Sequence, residues 1–248
     1  MNVILFNRLP LKLNSFICVV SLLVFALLIK LAFWQLGRAE HKELRLDQMR
    51  LYQDQESTDL RDVLALQASD EELNDMPVSL AGTFTRGQAF LLDNQVYKGR
   101  LGYQVVQVFD DVSSGLTVLI NLGWVLGSID RAFIPEIKEI SGQVSFKGKI
   151  RIVEQSILLA NQALSKETWP QRIQSIEIQK ISALLNRPLV PFMVYVNNDD
   201  RLGYEKDWIP VVMPPEKHRA YAVQWFVLAF VWLALMLSAA YSRAKVDQ

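Results

Sequence analysis

Cysteine is nearly absent from this sequence: Cys18 stands alone, inside an apolar run. A single thiol excludes an intrachain disulfide and any CxxC redox or metal site, so cysteine usage says nothing about the compartment. Histidine is almost as scarce, and His41 and His218 are too few for a three-histidine metal centre. Net charge is missing as well: 26 basic side chains balance 26 acidic ones, so no field favours nucleic acid. There is no Gly-rich phosphate loop, no GxSxG elbow and no HExxH pair. The acidic pairs Asp110-Asp111 and Asp199-Asp200 fall in turn-like contexts, where solvated carboxylates are the ordinary finding. An enzyme is therefore not expected.

What the sequence does contain is apolar length at both ends. Residues 220–241 run for 22 positions without a charge, which at helical rise is about 33 Å, enough for a bilayer core. Tyr221 and Tyr241 stand at its two ends, where amphipathic rings favour the headgroup level. A second span is expected over residues 13–36, with Lys30 close enough to its end to snorkel outward. That run continues through Leu31, Phe33 and Trp34 without the small residues of a cleavage site, which argues for an uncleaved anchor. Basic residues flank both spans on both sides, and the intervening loop is long, so charge leaves the orientation open.

Between the spans lies an extramembrane domain, residues 37–219. The first helix is expected to continue through residue 54, since no glycine or proline interrupts 38–54, with Trp34, Arg38 and Lys42 sharing one face. A short helical patch surrounds Leu64. Residues 78–84, 89–93, 102–109, 117–125 and 143–152 read as strands, rich in Val, Ile, Phe and Thr and bounded by turn formers. The polar loop 110–115 makes 102–109 and 117–125 a hairpin. Beyond it, 173–178 reads as a strand, 178–186 as a short helix and 190–196 as a final strand. Strand spacing this tight predicts an α+β membrane protein: two transmembrane helices flanking an antiparallel β-rich domain, an open sheet or a small barrel.

The candidate site is positional. His41 follows the first span by about a turn and His218 immediately precedes the second, so pairing of the helices would bring both near one face of the bilayer. Imidazole ligates haem iron, and Trp34, Tyr221 and Trp225 offer aromatic walls for a macrocycle. Histidine and aromatics are also ordinary residents of a membrane interface, where His218 would be partly exposed.

Several strings carry a resemblance. Trp34-Gln35-x-x-Arg38-x-x-x-Lys42 follows the first anchor; Asp93-Asn94 precedes Gly99-x-x-Gly102-Tyr103-x-Val105-Val106. Val118-Leu119-Ile120-Asn121-x-Gly123-Trp124-Val125 comes next, with Arg131 after it. Pro215-Glu216-Lys217-His218-Arg219-x-Tyr221-Ala222-x-Gln224-Trp225 leads into the last helix. In order, spacing and two-helix frame this is similar to the Surfeit locus protein family, bacterial type, from about Leu31 to the end. Leu122 departs from it, standing where that family usually shows arginine, and residues 153–200 match poorly.

The resemblance implies an assembly factor for the haem–copper cytochrome c oxidase, in the bacterial inner membrane, with both termini cytoplasmic and residues 37–219 periplasmic. It implies haem a as cofactor, His218 as iron ligand, and the large haem-bearing oxidase subunit as partner. Trp34, Arg38, Tyr221 and Trp225 would surround the haem, while Gln35, Lys42 and Gln224 would contact the partner. The alternative is a membrane-anchored structural chaperone with no cofactor.

Overall fold

The computed structural model describes residues 15–53, 55–67, 73–128, 130, 132–153, 164–165, 167–208 and 213–246. They fall into two compact units, Met1–Gln48 with Ile209–Gln248, and Met49–Trp208.

The first unit is a helix pair. Helix α1 (Ser15–Gln53) is continuous, and its residues 16–52 are apolar enough to cross a membrane. Helix α4 (Pro215–Val246) opens with proline, whose fixed φ suits a first helical turn, and carries Glu216 where a carboxylate complements the dipole. The two run antiparallel. Trp232 Nε1–H donates to the Ser21 carbonyl at 3.2 Å, and Phe33 meets Phe226 edge-on at 5.5 Å. Small residues are buried here: Ala32, Ala39, Ala222, Ala229 and Ala240. Large ones, such as Phe16 and Phe230, face outward. Only 11% of each apolar window is buried, the reverse of a soluble core helix and the pattern that close packing in lipid requires.

The second unit holds α2 (Leu60–Gln67), β1 (Pro77–Tyr97), β2 (Arg100–Asp111), β3 (Thr117–Leu126), β4 (Gln143–Ile152), β5 (Gln171–Ile173), α3 (Ile178–Leu185) and β6 (Phe192–Val196). The predicted hairpin is present, with Gly102 opposite Leu126 and Phe109 opposite Val118. Strand β3 is buried on both faces. Val118, Ile120 and Leu122 face one core cluster with Val105, Phe109 and Phe192. Leu119 faces a second, with Phe90, Val106 and Ile181. A strand covered on both sides reads as an unbroken apolar run, which is how 117–125 reads.

The structure revises the sequence reading in three places. Residues 78–84 and 89–93 form one strand, not two, because Gly87 at φ +68° lets the chain pass through an irregular stretch and continue. The strand expected at 173–178 is Gln171–Ile173 instead, and the residues after it lead into α3. The sheet is mixed, since β1–β5 and β3–β6 are parallel while the other ladders are antiparallel. Both parallel partners arrive after long connections, which parallel pairing needs. Nor is the sheet a closed barrel. Its ladders lead back to β1, but β1 divides one edge between β4, through residues 77–83, and β5, through residues 90–92.

The β2–β3 turn is organised by one carboxylate. Asp111 is 2% exposed and accepts from Ala81 N–H at 3.0 Å, Ser114 N–H at 2.8 Å, and the hydroxyls of Ser114 and Ser113 at 2.6 and 2.9 Å. Burial pushes its pKa up, but these donors outweigh burial and hold it below the usual 3.8. A depressed carboxylate stabilises the fold fully above its unfolded pKa and loses that contribution as pH falls through the folded one. Asp111→Ala should therefore cost about 3 kcal/mol at pH 7, with the deficit shrinking below the ordinary carboxylate range. Denaturant titrations of both proteins at pH 7 and at acid pH check this; a deficit that does not change with pH would contradict it.

Candidate functional site

The helix pair places one candidate residue between its two helices. His218 sits in the first turn of α4, 7% exposed, with Nδ1 2.7 Å from Gln35 Oε1 of α1. A carbonyl oxygen accepts, so Nδ1 carries a proton, and in the neutral ring the Nε2 lone pair is then left over. Among the described residues no hydrogen bond engages Nε2. Beside this pair, Arg219 makes an ion pair with Glu43. The partly exposed imidazole expected from the sequence is thus buried. Its position in the antiparallel pairing turns it toward α1, and Gln35 supplies the polar partner that burial demands.

The other candidates divide by face. His218, Tyr221 and Trp225 lie on one stripe of α4 at i, i+3 and i+7. Tyr221 is 44% exposed, Trp225 is half-buried, and Gln224 is exposed off the stripe. On α1, Gln35 turns to α4 while Trp34 and Arg38 are exposed and Lys42 is half-buried. Among the described residues neither Arg38 nor Lys42 makes an ion pair. His41 is exposed, six residues beyond Gln35 and about 120° round the helix from it. The structure joins His218 to Gln35, not to His41. The Gln35 bond and the Arg219–Glu43 pair were not read from sequence, since neither shows before the register of two antiparallel helices is known.

The remaining motif strings serve the fold. Asn121 is fully buried, donating Nδ2–H to Gln104 Oε1 at 2.9 Å and accepting Gly123 N–H at 3.1 Å. Leu122 is the extra residue where the β2–β3 register shifts, its side chain inside the apolar core. A guanidinium would meet a wholly apolar setting there, which accounts for leucine physically. Trp124 donates Nε1–H to the Gln95 carbonyl at 2.9 Å and its backbone N–H to the Glu205 carbonyl at 2.7 Å. A Cβ on Gly102 would meet the Val125 carbonyl at 2.1 Å and the Trp124 ring at 2.6 Å. Arg131 lies outside the described residues.

A haem-iron ligand must be a neutral imidazole nitrogen whose lone pair is unengaged, with its other nitrogen held by an acceptor. His218 Nε2, with Nδ1 donating to Gln35, fits that donor chemistry.

Two outward-facing apolar helices on a domain built round a mixed sheet define a membrane protein. The SURF1 family model matches residues 22–230, most of the chain, and the protein belongs to the SURF1 family. That is the Surfeit locus protein family of the sequence motifs, and it is associated with cytochrome c oxidase assembly. No curated protein matches the chain.

Proposed function

We propose that this protein is a non-enzymatic assembly factor that holds haem a for the large subunit of a haem–copper cytochrome c oxidase. The observation that carries the reading is the His218–Gln35 bond, which engages Nδ1 and leaves Nε2 available at the end of the second apolar span. When bound, haem supplies an iron that takes a nitrogen ligand. His218 would provide that nitrogen, and Gln35 would hold the Nδ1 proton and the ring orientation. Trp34, Tyr221 and Trp225 would give apolar contact, and Arg38 would meet a propionate. Gln35, Lys42 and Gln224 would contact the incoming subunit. Protein purified in detergent from cells that make haem a should carry a Soret band that His218→Ala loses. A wild-type spectrum without that band would remove the haem role.

The second reading is a cofactor-free chaperone. The 7% exposure of His218 favours it, because the same bond then serves as a polar clamp between two helices.

We further propose that residues 13–36 and 220–241 span the bacterial inner membrane, with both termini cytoplasmic and residues 37–219 periplasmic. A periplasm-dependent reporter fused after residue 150 should be active; activity from a cytoplasm-dependent reporter at that site would overturn the orientation.

A further inference from the structure

The face of α1 turned away from α4 carries a charge that the helix pair leaves unanswered. Lys30 is the only charged residue in the apolar runs 13–36 and 220–241, so neither run offers it a carboxylate. It is exposed, and among the described residues it makes no ion pair or hydrogen bond. At about 100° per residue it stands about 180° round the helix from the buried Ala39. It lies deeper in the span than Gln35, by about 7.5 Å at helical rise.

Two more donors and a recess adjoin it. Trp34, one turn above Lys30, is 54% exposed, and Arg38, a turn further on, is exposed as well. Among the described residues neither the Trp34 indole N–H nor the Arg38 guanidinium is engaged. Helical side chains lean toward the N-terminus, so both reach back over the Lys30 turn, and the flexible lysine stem extends toward them. Glu40, the first acid along α1, is about 160° round the helix from Arg38. Gly37 lies on the Lys30 side, about 20° from it. Glycine is a poor interior helix residue, yet nothing lies within 4 Å of a Cβ added there, so no packing inside the pair accounts for it. Its missing side chain leaves a recess above Trp34.

A cation in hydrocarbon that has no partner in its own protein turns to the nearest anions, and toward the end of a span those are lipid phosphates. Ammonium, guanidinium and indole N–H all donate, so the ligand must accept, as phosphate oxygens do. Two cations suit a headgroup of net negative charge better than a zwitterionic one. A partner's membrane helix with one carboxylate would answer Lys30 but leave Trp34 and Arg38 unmet.

We propose that Lys30, Trp34 and Arg38, around the Gly37 recess, form a binding site for the phosphate headgroup of an anionic phospholipid. Neither Lys30 nor Gly37 belongs to the haem reading, and binding here needs no haem.

The test uses the full-length protein in detergent, titrated with phosphatidylglycerol or with phosphatidylcholine of the same acyl chains and read by native mass spectrometry. Preferential retention of phosphatidylglycerol is expected. Lys30→Gln should lower its affinity about fivefold, the effect of one cation near a charged surface. Gly37→Leu should fill the recess and lower that affinity without lowering the unfolding temperature, because the new side chain meets nothing in the protein. Lys147→Gln removes an exposed cation of the extramembrane domain and should leave the affinity unchanged. Equal retention of the two lipids by the wild type would overturn the proposal and is the result a carboxylate-bearing partner helix predicts. Unchanged affinity in Lys30→Gln, or an equal loss in Lys147→Gln, would overturn it as well.

Discussion

Gly203→Ala should destabilise the extramembrane domain by more than about 3 kcal/mol, because backbone strain and a steric clash act together there. Gly203 has φ +91°, and an added Cβ would lie 2.2 Å from the Leu122 carbonyl oxygen. That oxygen accepts Tyr204 N–H at 2.8 Å, and the next residue but one along β3, Trp124, donates to the Glu205 carbonyl. Relief of the clash would peel residues 203–205 from β3 and break both bonds. Gly87→Ala is the comparison. Gly87 also has positive φ, but nothing lies within 4 Å of its added Cβ, so only conformational strain of about 1 kcal/mol remains. Denaturant unfolding in detergent, followed by tryptophan fluorescence, should rank them in that order; equal losses would sink the argument.

On the proposed ligand role, His218→Ala should lower both bound haem and oxidase haem content while the protein still accumulates in the membrane. The cost to the fold is not that of a surface change. Removing the buried imidazole leaves Gln35 Oε1 without its donor, worth about 1–3 kcal/mol. His218→Gln separates the two readings. Its amide can still donate to Gln35 but offers no imidazole nitrogen, so a ligand role predicts a loss as severe as alanine, and a clamp role predicts near-normal oxidase. His41→Ala should have no effect, because His41 is exposed and off the Gln35 face. Normal haem and oxidase in His218→Ala would remove the ligand role and leave the chaperone.

Much of this fold could be read in advance, for identifiable reasons. Apolar length announced both spans, and the β-branched runs around loop 110–115 announced the hairpin. What escaped depends on partners distant in sequence. Nothing local to residues 171–173 or 192–196 says that each pairs parallel to a strand far upstream. The merging of two runs into β1 turns on a single glycine at φ +68°. In the helix pair the residue types were legible, whereas Gln35 opposite His218 required the antiparallel register. The interior position of Leu122 follows the alternation of Val118 and Ile120 along β3, whereas its lack of a partner on β2 depends on a one-residue register shift that no local sequence shows.

The central place of β6 in the sheet has a consequence for the order of manufacture. It is the last strand synthesised, yet it lies between β3 and β4. Until residues 192–196 emerge, the hairpin of β2 and β3 and the pair of β1 and β4 present facing, unfilled backbone edges. Those edges are the kind of surface on which unfinished chains associate. The earlier pairing of β1 with β4 already waits about seventy residues, from Pro77 to Lys149. Assembly is therefore not a gradual accretion from the N-terminus. It is completed by one five-residue insertion close to the end of the domain, and any stall in delivery of the chain before that point leaves the sheet open.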